Sequence, residues 1–127
     1  MLIYVAGKYG TEQVHKLIED INDSDEHELT LDWTTLPVNK PYREYASNNT
    51  FANGMKRGVK DCDLFILIGA DRLYGAMVEL GIALAHNKEV LLVDNLCRDS
   101  IFFAGSGVIE YTIEEVYRRL NLEGPVE

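Results

Sequence analysis

One carboxylate stands alone among apolar residues. In the run Tyr74-Gly75-Ala76-Met77-Val78-Glu79-Leu80-Gly81-Ile82-Ala83-Leu84-Ala85, Glu79 is the only charged residue. Helical spacing makes Gly75, Ala76, Ile82 and Ala83 its neighbours, so its own helix supplies no ion-pair partner. An ionised carboxylate in such surroundings is costly and needs a partner. A carboxylate of that kind can attack an electrophilic carbon or hold a developing positive charge. Two plainer alternatives stay open: Glu79 marks a narrow exposed stripe, or it caps backbone amides.

Other candidates are weaker. Trp33, Tyr42 and Tyr45 lie around the end of the second predicted strand, where aromatic faces can stack on a planar ligand or pack in a core. Asp63 opens an apolar strand, a place where Asp commonly closes turns. His15, His27 and His86 are scattered without metal-ligand spacing and read as surface residues. Cys62 and Cys97 form no motif. Ser106, in Gly105-Ser106-Gly107, lacks the strand–turn–helix setting of a nucleophile elbow.

The positioning elements follow from periodicity. Leu2–Ala6 is a short apolar run ending in Gly7 and predicts the first strand. Val14, Leu17, Ile18 and Ile21 have helical spacing, with Thr11 as N-cap. Glu28–Trp33 alternates, placing Leu29, Leu31 and Trp33 on one face of a second strand. Thr34–Pro41 is a loop with two prolines. Tyr42–Lys60 predicts a weakly patterned helix, in which Gly54 and Gly58 argue against one unbroken element. Asp63–Ile68 is a continuous apolar strand, of the kind buried on both faces of a parallel sheet. Tyr74–His86 is a helix and Glu89–Val93 another buried strand. Ser100–Tyr111 is irregular, with a short fifth strand around Ile101–Ala104. Thr112–Leu120 is a closing helix with Thr112 and Glu115 as a capping box. Alternating strands and helices predict an α/β three-layer sandwich, flavodoxin-like or Rossmann-like, with a five-stranded, mostly parallel sheet. Ligands in such sheets bind beyond the carboxyl ends of the strands. Here those ends are Gly7–Tyr9, Trp33–Thr35, Gly69–Tyr74 and Asp94–Asn95.

Composition sets the bounds. The 127 residues fit one domain and carry a net charge of −9. That field repels polyanions, which disfavours duplex nucleic acid but not a single nucleotide in a local pocket. No apolar run approaches the ~18 residues of a membrane helix, and the N-terminus carries no signal-peptide pattern. Two cysteines without a motif fit a reduced, cytoplasmic compartment.

Tyr4 in Ile3-Tyr4-Val5-Ala6-Gly7, Cys62-Asp63-Leu64-Phe65, Gly75-Ala76-Met77-Val78-Glu79-Leu80-Gly81-Ile82-Ala83 and Lys88-Glu89-Val90 occur in this order. Together they resemble the nucleoside 2-deoxyribosyltransferase family, which includes 2′-deoxynucleoside 5′-phosphate N-hydrolases. The likeness runs over most of the chain and is most specific between Asp63 and Val90. It implies a flavodoxin-like domain spanning residues 1–127 and chemistry at an N-glycosidic bond. The family's nucleophilic glutamate falls on Glu79, and the tyrosine that orients it falls on Tyr4, for which an ordinary strand aromatic is the alternative. Glycosyl transfer passes through an oxocarbenium-like state that a fixed carboxylate stabilises and can trap. The first loop, Gly7-Lys8-Tyr9-Gly10, sits where the nucleotide hydrolases hold a 5′-phosphate; the alternative is a turn with a solvated lysine. Arg72 is a second candidate phosphate contact. The resemblance further implies a homo-oligomer, with the Ile101–Tyr111 segment at the interface. No metal or organic cofactor is implied.

One departure matters. The family's base-protonating aspartate, eight positions before Asp63, is replaced by Met55. Asn53 lies two residues earlier and can contact a base but cannot supply a carboxyl proton. An acidic residue that some members carry six positions before the glutamate is replaced by Leu73, with Asp71 two residues earlier. The leading expectation is a nucleoside deoxyribosyltransferase or nucleotide N-glycosidase. Its rival is a nucleotide-binding module of the same fold without turnover. A flavodoxin or receiver-like domain is weaker still, because no flavin phosphate loop and no acidic cluster at the first strand are present.

Overall fold

The computed structural model describes residues 1–36, 45–93 and 109–123, with the side chains of 45–48 and 109 left aside. Five strands form one sheet: β1 (Leu2–Ala6), β2 (Glu28–Leu29), β3 (Leu64–Ile68), β4 (Glu89–Val93) and β5 (Ile109–Tyr111). Their order is β2-β1-β3-β4-β5. Every pairing is parallel, with Tyr4 opposite Phe65 and Phe65 opposite Val90. This is the flavodoxin-like order, and helices cross over between β1 and β2, β2 and β3, and β3 and β4. The described helices are α1 (Glu12–Asn22), α2 (Tyr45–Asp61), α3 (Tyr74–Ala85) and α4 (Ile113–Arg119). None of the described helices is long and apolar enough to cross a membrane.

The period of two along each strand sorts side chains into two layers. Ile3, Val5, Leu64, Ile66, Ile68, Leu91 and Val93 pack with α1 and α4. Tyr4, Ala6, Phe65, Leu67, Val90 and Leu92 pack with α2 and α3. All five residues of β3 are buried, as a strand covered on both faces must be. Each fully buried Leu or Ile contributes roughly 1.5–3 kcal/mol. The same alternation puts Tyr4 on the α3 side of the sheet.

Several expectations change. The second strand ends at Leu29 rather than Trp33. Asp32 accepts hydrogen bonds from the Thr34 amide and hydroxyl, which turns the chain into a short 3-10 helix at Trp33–Thr35. Leu29 therefore packs in the α1/α4 layer and Leu31 in the α2/α3 layer, while Trp33 touches both. The residues do not share a face because the extended run stops. α2 is one helix from Tyr45 to Asp61, unbroken by Gly54 or Gly58; residues 42–44 lie outside the described part. A Cβ at Gly58 would lie 3.0 and 3.1 Å from two Tyr4 ring carbons and 3.2 Å from the Leu31 Cβ. Gly58 is thus set by close approach to the sheet, not by helix interruption. The fifth strand lies at Ile109–Tyr111; the expected Ile101–Ala104 strand, like Cys97 and Ser106, lies outside the described residues.

At the caps, Thr11 precedes α1 but its side chain makes no capping bond. Thr112 and Glu115 form the reciprocal capping box of α4. Asp63 accepts the Leu2 amide at 3.0 Å. That ties β3 to β1 at their amino ends, away from the ligand-binding end of the sheet. Charge is also unevenly placed. Glu12, Glu19, Asp20, Asp23, Asp25 and Glu26 lie on α1 and the turn after it against one cation, Lys16, whereas α2 carries Lys56, Arg57 and Lys60 against one acid, Asp61.

Candidate active site

Tyr4 lies in the middle of β1 with no exposed surface. Its ring stacks on Phe65 of the neighbouring strand, centroids 6.0 Å apart and planes 3° from parallel. With Gly58 of α2 against one edge, the ring has little freedom. Its hydroxyl points to α3 and donates to the Glu79 carboxylate at Oε2. A buried phenol needs such a partner, and this one is 75 residues distant in sequence.

Glu79 is half-buried, with Ala76, Leu80 and Ala83 of its own helix in the core. The helix dipole adds little to it. α3 begins at Tyr74, so Glu79 is beyond the first turn, where the dipole effect has fallen away. Burial dominates and pushes its carboxyl from 4.5 up to about 7, while the Tyr4 hydrogen bond pulls the other way. Burial and the neighbouring carboxylate both push the Tyr4 phenol well above its ordinary value. Tyr4 therefore stays protonated and remains a donor. Gly75 lies one turn before Glu79, and a Cβ there would meet nothing within 4 Å.

The crevice end of the sheet holds an aromatic group. The Trp33 indole N–H donates to the Val5 carbonyl at 2.6 Å. Tyr9, 66% exposed, lies 6.4 Å from the Trp33 ring and edge-on to His15 at 5.2 Å. His15 Nε2 accepts the Gly10 amide at 3.0 Å. Gly10 has φ +86°, a conformation glycine adopts freely. Gly7 is held by packing, because a Cβ there would fall 2.5 Å from Val14 Cγ2. Lys8 is exposed in the same loop. Asp71 and Arg72 are exposed in the turn before α3, and Arg72 has φ +59°. A non-glycine residue there is strained, a feature that clusters at functional sites.

The structure thus brings Tyr4 and Glu79 into direct contact, and gathers Tyr9 and Trp33 at the end of β1. Asn53 is not brought to them. It is exposed on α2, about 140° around the helix from Gly58 at 100° per residue. Met55 is half-buried. Tyr42 lies outside the described residues, as does the Tyr45 side chain. Cys62 is a buried thiol donating to the Val59 carbonyl, and burial pushes it up to about 11. Among the described residues no group of His, Cys, Asp and Glu is placed to hold a metal.

Sequence reasoning misses two residues. His15 reads as a surface residue from its spacing, yet it reaches the loop. The signal is its place one turn into α1, since helical side chains lean toward the N-terminus. Gly58 has no sequence signal, because the close approach of Tyr4 is a tertiary fact.

No protein-family model matches the chain, and no curated protein sequence does. Among solved structures, the chain is similar to the Clostridium botulinum CMP N-glycosidase BcmB, with a TM-score of 0.60 and 18% identity. The match covers 95% of this chain and 98% of that one. At that identity the likeness carries the fold: an α/β, flavodoxin-like sandwich on a five-stranded parallel sheet.

Proposed function

We propose that this protein is an enzyme that cleaves the N-glycosidic bond of a nucleotide, with Glu79 as nucleophile and Tyr4 as its orienting donor. The observation that carries the reading is the Tyr4–Glu79 hydrogen bond between β1 and α3. Support comes from the sequence resemblance at both positions and from the likeness in fold to a CMP N-glycosidase. Residues 1–127 form a single domain of this kind.

In the reaction, a Glu79 oxygen attacks the anomeric carbon as the C–N bond breaks and its electron pair leaves with the base. The carboxylate offsets the oxocarbenium charge in the transition state. Water, or a second base, then attacks the same carbon, breaks the glycosyl ester and returns the free carboxylate; the proton the attacking group gives up is the one the departed base takes, by way of solvent. Tyr4 holds one oxygen so that the other faces the sugar. Gly7, Lys8, Tyr9 and Arg72 are assigned to the 5′-phosphate side and Trp33 to the planar base. Gly75 leaves space beside the nucleophile, and Asp71 lies in the same turn as Arg72. Asn53 would reach the base only from a neighbouring subunit or after movement of α2. The chain works as a homo-oligomer in a cytoplasmic setting, and α3 offers an apolar face for a second copy: Tyr74 is 80% and Val78 60% exposed.

The test is release of free base from a panel of nucleosides, deoxynucleosides and their 5′-monophosphates. Glu79→Gln should abolish release, and a 2-fluoro-arabinosyl substrate should leave a covalent adduct on Glu79. Undiminished release by Glu79→Gln would sink the mechanism. A second reading, a nucleotide-binding module without turnover, is favoured by Met55 where the resemblance expects an acid. Tight binding without release or adduct would decide for it.

A further inference from the structure

We infer that His15 is the positioning residue of the phosphate loop, and that it takes up a proton when a nucleoside 5′-monophosphate binds. This rests on the nucleotide reading above.

The Gly10 amide is a donor at the crevice end of β1, and its acceptor is the Nε2 lone pair of His15 at 3.0 Å. An imidazole that accepts at Nε2 is neutral, with its proton on Nδ1. The ring is steadied by Tyr9, edge-on at 5.2 Å and 82°. A neutral ring nitrogen therefore occupies an amide that would otherwise serve an anionic oxygen. A phosphate oxygen is the stronger acceptor for that amide, because a charge-assisted hydrogen bond is roughly twice as strong as a neutral one.

Once the amide turns to phosphate, Nε2 is free beside a dianion. The imidazole then gains a proton from solvent, and the new Nε2–H donates to the phosphate. No covalent bond between heavy atoms changes; the balance is neutral His15 plus one proton giving imidazolium. The titratable groups around the ring fit this. Lys8 and Tyr9 come from the loop, and Glu12 and Glu19 lie about one turn away on α1. The segment that packs on Tyr9 through Trp33 carries one acid, Asp32, already engaged by Thr34. A nucleoside without phosphate gives the ring no reason to charge.

The experiment is calorimetric binding of CMP and of cytidine at pH 7.5 in two buffers of different ionisation enthalpy. It uses Glu79→Gln protein, which prevents turnover and removes the half-buried carboxyl that would also titrate near this pH. CMP should bind with net proton uptake, and cytidine with none. Adding His15→Gln, which can still accept the amide but cannot charge, should abolish the uptake. It should weaken CMP about tenfold, the scale of one charge-assisted hydrogen bond, and leave cytidine unchanged. A parallel NMR titration of ring-labelled histidine in Glu79→Gln protein reads the same event without the His15 variant. The His15 signal should move to the imidazolium position on adding CMP. Equal uptake for both ligands, uptake that survives His15→Gln, or an unmoved ring signal overturns the inference. Glu79-dependent base release is scored separately, so the inference can fail while the reaction stands. Failure of every 5′-monophosphate in the panel to bind overturns both.

Discussion

The hydroxyl of Tyr4, fixed on the central strand β1, donates to the carboxylate of Glu79, carried by the crossover helix α3. The contact joins two rigid elements rather than two loops, so its geometry is set by sheet and helix packing. Removing the hydroxyl removes the interaction that lowers the Glu79 pKa. Tyr4→Phe should therefore raise that pKa above about 7 and move the rising limb of the kcat/KM–pH profile to higher pH. A hydrogen bond to a charged group is worth about 1.5–3 kcal/mol, so the fall at neutral pH should be roughly 10- to 100-fold. An unshifted profile would mean that Tyr4 does not tune the nucleophile.

Glu79 should cost stability when ionised. Its folded pKa of about 7 lies above its ordinary 4.5, so the folded state prefers the protonated form. Stability then declines as pH rises between those values and stays at the lower level above them. Glu79→Gln should raise Tm at pH 8.5, by a free energy on the order of 1 kcal/mol after solvent screening of a half-buried group. The gain should shrink at pH 5. Thermal melts at the two pH values check this, and an equal gain at both would point to a cause other than ionisation.

Two glycines of α2 should answer differently to alanine. Gly54→Ala enters open space among the described residues and should add up to about 1 kcal/mol of helix stability without touching activity. Gly58→Ala gains the same propensity but presses on the Tyr4 ring and Leu31, an overpacking cost of about 1–3 kcal/mol. Denaturant melts should show Gly58→Ala less stable than Gly54→Ala, and base release should fall only in Gly58→Ala.

The exposed face of α3 should be covered in solution. Val78→Glu places a charge on it, and light scattering should show the native oligomer reduced to monomer. A wild-type protein that is already monomeric at tens of micromolar would remove the need for a second copy there.

Much of the fold is readable from pattern. β3 stands out because five consecutive apolar residues suit a strand covered on both sides, and α1 because Val14, Leu17, Ile18 and Ile21 keep helical spacing. Alternation of Leu29, Leu31 and Trp33 overextends the second strand; Asp32, which ends it, acts through a local side-chain bond that alternation cannot register. The apolar composition of α3 suggests burial on most sides, yet Tyr74 and Val78 face outward. Composition along a helix does not say what covers each side. For the site, the sequence singles out Glu79 as a carboxylate lacking a local partner. That Tyr4 supplies the partner rests on resemblance alone at that level, since the contact crosses two layers.

The excess of acids on α1 and its following turn, and of cations on α2, should have a kinetic consequence. A molecule of net charge −9 should slow every anion that approaches it. An asymmetric distribution instead gives it a dipole, so a small anion is turned away on one side and drawn in on the other. Within a Debye length of about 10 Å at 0.1 M salt, what such a visitor feels is the nearest helix, not the sum over the chain.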